Sequence, residues 1–237
     1  MPSFSLSKTA KRALFAGGVA IASFSGTAFA AGLGGGSVAT GASGVRAAAP
    51  AANSDSARLP QPVPVTVDPA TTAYLVLDET SVICAPKPAC VATLPASASL
   101  LAKARAAGAL VVYSETPSAG SQVLPQVAPL PTDPIVVSRA DKFFNTDLDQ
   151  VLSSHGIKTL VLVGTATNGA ILYTTFEANV RGYTVVVAED GTSASTPYIQ
   201  RYSLFQLLNE PGFANAANTP LQAGAVTLSN TTLVNFQ

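Results

Sequence analysis

The chain has 237 residues, 48% of them hydrophobic and 11% charged, with 13 basic side chains balanced by 13 acidic ones. That composition suits one well-buried domain with low-complexity flanks, and it offers no basic patch or aromatic-basic interleaving for nucleic acid. One histidine in the whole chain excludes a multi-histidine metal site, and neither a metal nor another cofactor is expected.

Lys8, Lys11 and Arg12 precede an apolar run from Ala13 to Ala30 that ends Ala28-Phe29-Ala30. A basic start, a short apolar centre and an Ala-x-Ala site describe a secretory signal peptide over residues 1–30, so a secreted or periplasmic protein is expected. Gly17, Gly18, Ser23, Ser25 and Gly26 interrupt the run, and no other segment is long enough to span a bilayer. No stable membrane insertion is therefore expected after cleavage. Loss of the three basic residues would leave a mildly acidic chain. Residues 31–63 are Ala, Gly, Ser and Pro with few large apolar side chains, which reads as a disordered linker.

From residue 64 to 237 the pattern is one domain of alternating strands and helices. Ala73 to Leu77 is a continuous apolar run ending at Asp78, the mark of a strand buried on both faces. Cys84 and Cys90 enclose Ala-Pro-Lys-Pro-Ala, a spacing that reads as a small disulfide loop worth about 2 kcal/mol in chain entropy. Ser97 to Ala107 predicts a helix stopped by Gly108, and strands follow at Leu110–Tyr113 and Ile135–Val137. Thr146 to His155 predicts a helix capped by Thr146, then a strand runs from Leu160 to Val163. A helix over Asn168 to Arg181, a strand over Thr184–Val187, a helix over about Pro197 to Leu208 and a strand over Ala225–Leu228 complete the pattern. Such alternation implies a three-layer αβα fold of Rossmann-like type, with a mostly parallel central sheet of about six strands.

In such folds the ligand lies beyond the C-terminal ends of the strands. That rule selects Asp78 after the first strand, Glu115 and Thr116 after the second, and Lys142 after the third. It adds Thr167 and Asn168 after the fourth, and Glu189 and Asp190 after the fifth. A carboxylate and an ammonium facing one crevice form a coupled proton-transfer pair, so Asp78 and Lys142 are the candidate catalytic groups.

At these residues the chain resembles the isochorismatase-like hydrolases of the cysteine hydrolase superfamily. The resemblance rests on Tyr74-Leu75-Val76-Leu77-Asp78, Lys142-Phe143-Phe144-Asn145-Thr146-Asp147-Leu148, Gly164-Thr165-Ala166-Thr167-Asn168, Gly182-Tyr183 and Ala223-Gly224-Ala225-Val226, over about residues 72–232. It implies that Asp78 is the general acid/base and that Lys142 holds its charge balance. It also implies a non-proline cis peptide between Thr165 and Ala166, with the N–H groups of Ala166 and Ala170 as an oxyanion hole. Thr167, Asn168, Phe143 and Tyr173 are then candidate contacts for a small-molecule substrate. The family's habit points to a homo-oligomer.

Ala170 stands where the amide-hydrolysing members carry their nucleophilic cysteine, and a methyl group cannot attack a carbonyl. The nicotinamidases' metal set is also missing, since Ser114-Glu115-Thr116-Pro117 carries no histidine. His155 is expected on the far side, near a helix end. Two readings lead, ahead of a cysteine-to-alanine variant of a thiol hydrolase. In one, the protein is a hydrolase that protonates an enol ether from Asp78 and needs no thiol. In the other, it is an inactive member that binds a small amide or carboxylate.

Overall fold

The computed structural model describes residues 59–237; the expected signal peptide and most of the expected linker lie outside them. The last five residues of that linker, 59–63, lie against the domain. Leu59 packs on the core, and the Val63 N–H donates to the Leu228 carbonyl at 3.1 Å. Among the described residues no helix is long and apolar enough to cross a membrane.

Eight strands and five α-helices are present among the described residues. In chain order they are β1 (Val65–Val67), β2 (Thr72–Leu77), α1 (Pro88–Val91), α2 (Leu94–Ala106), β3 (Leu110–Glu115) and β4 (Ile135–Val137). Then come α3 (Leu148–Ser154), β5 (Thr159–Thr165), α4 (Leu172–Val180), β6 (Thr184–Ser193), α5 (Pro197–Leu208), β7 (Val226–Ser229) and β8 (Val234–Phe236). The main sheet has six strands in the order β4-β3-β2-β5-β6-β7, and every pairing in it is parallel. β1 and β8 form a separate parallel pair, which the sequence pattern did not reveal.

Burial explains the unbroken apolar runs. Ala73, Leu75 and Leu77 join a core with Leu148, Leu152, Ala178 and Leu207 from α3, α4 and α5. Tyr74 and Val76 point the other way, to a second core with Leu94, Leu100 and Ala104 of α2 and with Val65 and Val234. Successive side chains of a strand alternate between faces, so a strand covered on both must be apolar throughout. The expected αβα layering is therefore present.

The helix boundaries differ in informative ways. α2 starts at Leu94, with Pro95 in its first turn, rather than at Ser97. α3 starts at Leu148; Thr146 still accepts from the Leu148 N–H at 3.3 Å but also donates to the Lys142 carbonyl at 2.5 Å. The helix expected from Asn168 begins instead as a wide π-type turn over Thr167–Ile171, because Gly169 departs from helical geometry at φ −127° and ψ −106°. α5 runs from Pro197 as expected, with Thr196 Oγ1 accepting from the Ile199 N–H at 3.2 Å.

The chain builds β2, β3 and β4 outward, then returns to place β5 on the other side of β2 and continues outward through β6 and β7. The strand order therefore reverses between β2 and β5. A crevice opens beyond the strand ends at such a switch point. Asp78 follows β2 there, and Thr165-Ala166 closes β5 there.

Candidate active site

β2 and β5 come together closely where they end. Leu77 and Gly164 are register partners, and Gly164 has φ 122°, a conformation that favours glycine. The next residue after Leu77 is Asp78, which turns into left-handed geometry at φ 55°. Its neighbour Glu79 goes to the opposite side of the sheet. Two consecutive buried carboxyls thus take separate partners.

The Asp78 carboxylate meets Lys142, with Nζ 2.8 Å from Oδ2 and side-chain exposures of 4% and 0%. The Ser114 hydroxyl donates to Asp78 Oδ1 at 2.8 Å, placed by the pairing of Leu77 with Ser114 across β2 and β3. Lys142 also donates to the carbonyls of Ser138 at 2.9 Å and Arg139 at 2.6 Å. All three ammonium protons therefore have acceptors. The backbone of Lys142 is fixed as well, its N–H donating to Thr174 Oγ1 of α4 at 3.1 Å.

Burial pushes the Asp78 carboxyl up from its ordinary value, against the lowering pull of Lys142 and the hydrogen bond from Ser114. Burial draws the Lys142 ammonium down, against the raising effect of Asp78. Both shifts bring acid and base closer together in proton affinity, which is what proton transfer within a buried pair requires. Glu79, held by the Ser97 hydroxyl at 2.6 Å, is pushed up to about 7 by burial, and its Oε2 has no hydrogen-bond partner.

The Thr165–Ala166 peptide is cis. Past it, Thr167 turns its hydroxyl to Gln200 Oε1 of α5 at 2.6 Å, and Gln200 Nε2 donates to Thr192 Oγ1 at 2.9 Å. Thr165, Ala166 and Asn168 line a cavity of about 450 Å³, together with Ser193–Ser195 at the end of β6 and Pro86–Cys90 on the opposite wall. That wall is the Cys84–Cys90 loop, which is closed by a disulfide as expected. Cys90 lies inside the one-turn helix α1, where no helix was anticipated.

The structure brings together only part of the expected site. Asp78, Lys142 and the cis turn meet at the switch point, but Asp78, Lys142 and Ala170 are absent from the cavity lining. Ala170 is buried with the core of α3, α4 and α5. Thr167 spends its hydroxyl on α5 rather than on the cavity. Phe143 is packed in the core, 6.0 Å from the Tyr183 ring and under the Arg181 guanidinium at 4.6 Å. Tyr173 is 53% exposed on α4. Neither aromatic lines the cavity. Of the acidic residues noted after the fifth strand, Asp190 accepts from the Thr231 N–H and hydroxyl at 2.8 and 2.7 Å, a structural role.

Two contributors escaped the sequence reading. Ser114 adjoins the noted Glu115, and strand alternation would have shown that one of the two must face Asp78. The spacing of Cys84 and Cys90 signals a staple but not the cavity wall that the loop forms. The metal set of the nicotinamidases does not fit: Glu115–Pro117 carries no histidine, and His155 is exposed at the end of α3, its Nδ1 2.8 Å from the Val151 carbonyl oxygen.

A parallel sheet ordered in this way, with a buried acid–lysine pair and a cis turn at the switch point, defines a three-layer αβα scaffold with a candidate site at its strand ends. The chain belongs to the isochorismatase family: the isochorismatase domain model matches residues 72–219. It is similar to the crystal structure of a cysteine hydrolase from Pseudomonas syringae pv. phaseolicola 1448A, at 23% identity and TM-score 0.61 over 73% of this chain and 94% of that one. An isochorismatase family protein from Desulfovibrio vulgaris aligns at 24% identity and TM-score 0.58, covering 68% of this chain and 95% of that one. The nicotinamidase of Staphylococcus aureus aligns at 19% identity and TM-score 0.57, covering 61% of this chain and 98% of its own. These likenesses establish the fold.

Proposed function

We propose that the protein is an exported hydrolase of a small molecule that works without a thiol nucleophile, using Asp78 as general acid/base and Lys142 to hold its charge. The observation that carries this reading is the buried Asp78–Lys142 pair at 2.8 Å beside the cis turn. No thiol competes for the role, because the chain's two cysteines are joined to each other. In this reading Ala170 occupies the family's nucleophile position and supplies a methyl group instead of a reactive atom.

For an enol ether the steps balance without a covalent enzyme intermediate. The Asp78 carboxyl gives a proton to the vinyl carbon, and water adds to the resulting oxocarbenium carbon. The adduct then loses a proton, which restores the Asp78 carboxyl, and collapses to a carbonyl compound and an alcohol. Lys142 stabilises the carboxylate between those events. Export rests on the sequence of residues 1–30 and fits a disulfide-bonded protein.

A second reading, a binder without turnover, is favoured by one observation: the pair does not line the cavity, and the Lys142 ammonium is fully occupied. The two readings separate when the native protein and Ala170→Cys are assayed on isochorismate and on small amides. Turnover by the native protein supports the hydrolase. Amidase activity confined to Ala170→Cys supports the binder.

A further inference from the structure

The cavity beside the cis turn has walls of unequal character. One is neutral: Asn168 and Ser193–Ser195 offer hydroxyl and amide groups, and Ala166 and Ala194 offer methyls. The other is the disulfide loop, whose Pro86, Pro88 and Ala89 are apolar and whose Lys87 is the only charged residue lining the cavity. No carboxylate lines it. Among the described residues Lys87 forms no ion pair and no side-chain hydrogen bond, and it is exposed, so its charge is uncommitted.

The loop that carries Lys87 is stiff. Cys84 and Cys90 are both fully buried and bonded to each other. The Cys84 N–H donates to the Thr80 carbonyl and the Lys87 N–H to the Cys84 carbonyl, each at 2.8 Å, while the Cys90 N–H donates to the Lys87 carbonyl at 2.9 Å. Pro86 and Pro88 fix φ on both sides of the lysine. A cation presented on a braced loop loses little backbone freedom on binding, so more of its attraction appears as affinity.

We propose that Lys87 is a specificity-determining residue that selects small carboxylate ligands over their neutral amides at this cavity. The ligand's carbon body would lie against Pro86, Pro88 and the alanines, with its carboxylate at Lys87. A volume near 450 Å³ accepts a single ring or a short chain. This goes beyond the proposed function: it rests on the cavity as a ligand site and not on turnover at Asp78.

The test is equilibrium titration of the full chain with matched carboxylate–amide pairs: benzoate and benzamide, nicotinate and nicotinamide, butyrate and butyramide. At least one carboxylate is expected to bind the native protein about tenfold or more tightly than its amide, with affinity falling as salt rises. Lys87→Gln is expected to erase that preference and the salt dependence, and Lys87→Arg to keep both. Thermal melting of each variant checks that the exposed substitution leaves the fold unchanged. A native protein that favours no carboxylate over its amide would overturn the proposal, as would an unchanged preference in Lys87→Gln. Because binding is read without turnover, a native protein that hydrolyses its substrate but shows no carboxylate preference removes only the role of Lys87. A preserved preference with no hydrolysis removes only the hydrolase reading.

Discussion

Leu77 and Gly164 are paired so tightly across β2 and β5 that a Cβ on Gly164 would stand 2.0 Å from the Leu77 carbonyl oxygen. The atom in the way is backbone, so no side-chain motion relieves it. The same glycine has φ 122°, which L side chains rarely adopt. Gly164→Ala is therefore expected to cost about 4 kcal/mol or more, at the large end of single substitutions. Urea unfolding, or failure to recover soluble protein, reads that cost, and near-native stability would contradict it.

The ion pair next door makes a different prediction. Lys142→Met leaves the Asp78 carboxylate buried without its cation, which is expected to cost about 3–5 kcal/mol at neutral pH. The double variant Asp78→Asn, Lys142→Met removes both charges and is expected to be more stable than Lys142→Met alone. Losses in the double variant that equal the sum of the singles would show that the two groups do not depend on each other.

Glu79 sets a pH dependence. Burial raises its carboxyl from 4.5 to about 7, so the folded state holds the proton more tightly than the unfolded chain does. The stabilisation is fully present below about pH 4.5 and is lost as pH rises through about 7, a change of order 3 kcal/mol. Glu210, also pushed up to about 7 by burial, acts in the same window. Unfolding free energies at pH 5 and pH 8 should therefore differ less in Glu79→Gln than in the native chain, and Glu210→Gln supplies the separate comparison. An unchanged difference in Glu79→Gln would remove Glu79 from this role.

The disulfide is predicted to act mainly on the unfolded chain. Its partners are six residues apart, so the loop it closes contributes about 2 kcal/mol of entropy. Replacing both cysteines by alanine is expected to lower urea-unfolding stability by that amount plus the loss of two buried sulfurs. No loss at all would mean that Pro86 and Pro88 alone hold the loop.

Much of the scaffold was legible because its causes are local. β2, β5 and β6 are covered on both faces, and that writes an unbroken apolar run into the sequence. α5 carries its own cap at Thr196 and its own Pro197. Less legible were features decided by distant contacts. β1 and β8 are three residues each and owe their pairing to the fold rather than to pattern. β6 continues to Ser193 because its register with β5 shifts between Leu162 and Gly164, which no periodicity encodes. At the site, Asp78 and Lys142 were legible from strand ends and resemblance. Thr167, Phe143 and Tyr173, expected as substrate contacts, stand outside the lining of the cavity beside the cis turn, because sequence position near a crevice does not say where a side chain turns. Thr167 satisfies Gln200, Phe143 satisfies Tyr183 and Arg181, and Tyr173 faces outward.

In the proposed mechanism, hydrolysis depends on the Asp78 carboxyl and on no thiol. The most direct measurement is kcat/KM on isochorismate and a panel of small amides, compared at pH 7 between the native protein and Asp78→Asn, with folding of both confirmed by melting. A thiol-independent acid/base mechanism predicts native turnover that falls by about 100-fold or more in Asp78→Asn. Native turnover unchanged by Asp78→Asn, or no turnover until Cys is introduced at Ala170, would contradict it.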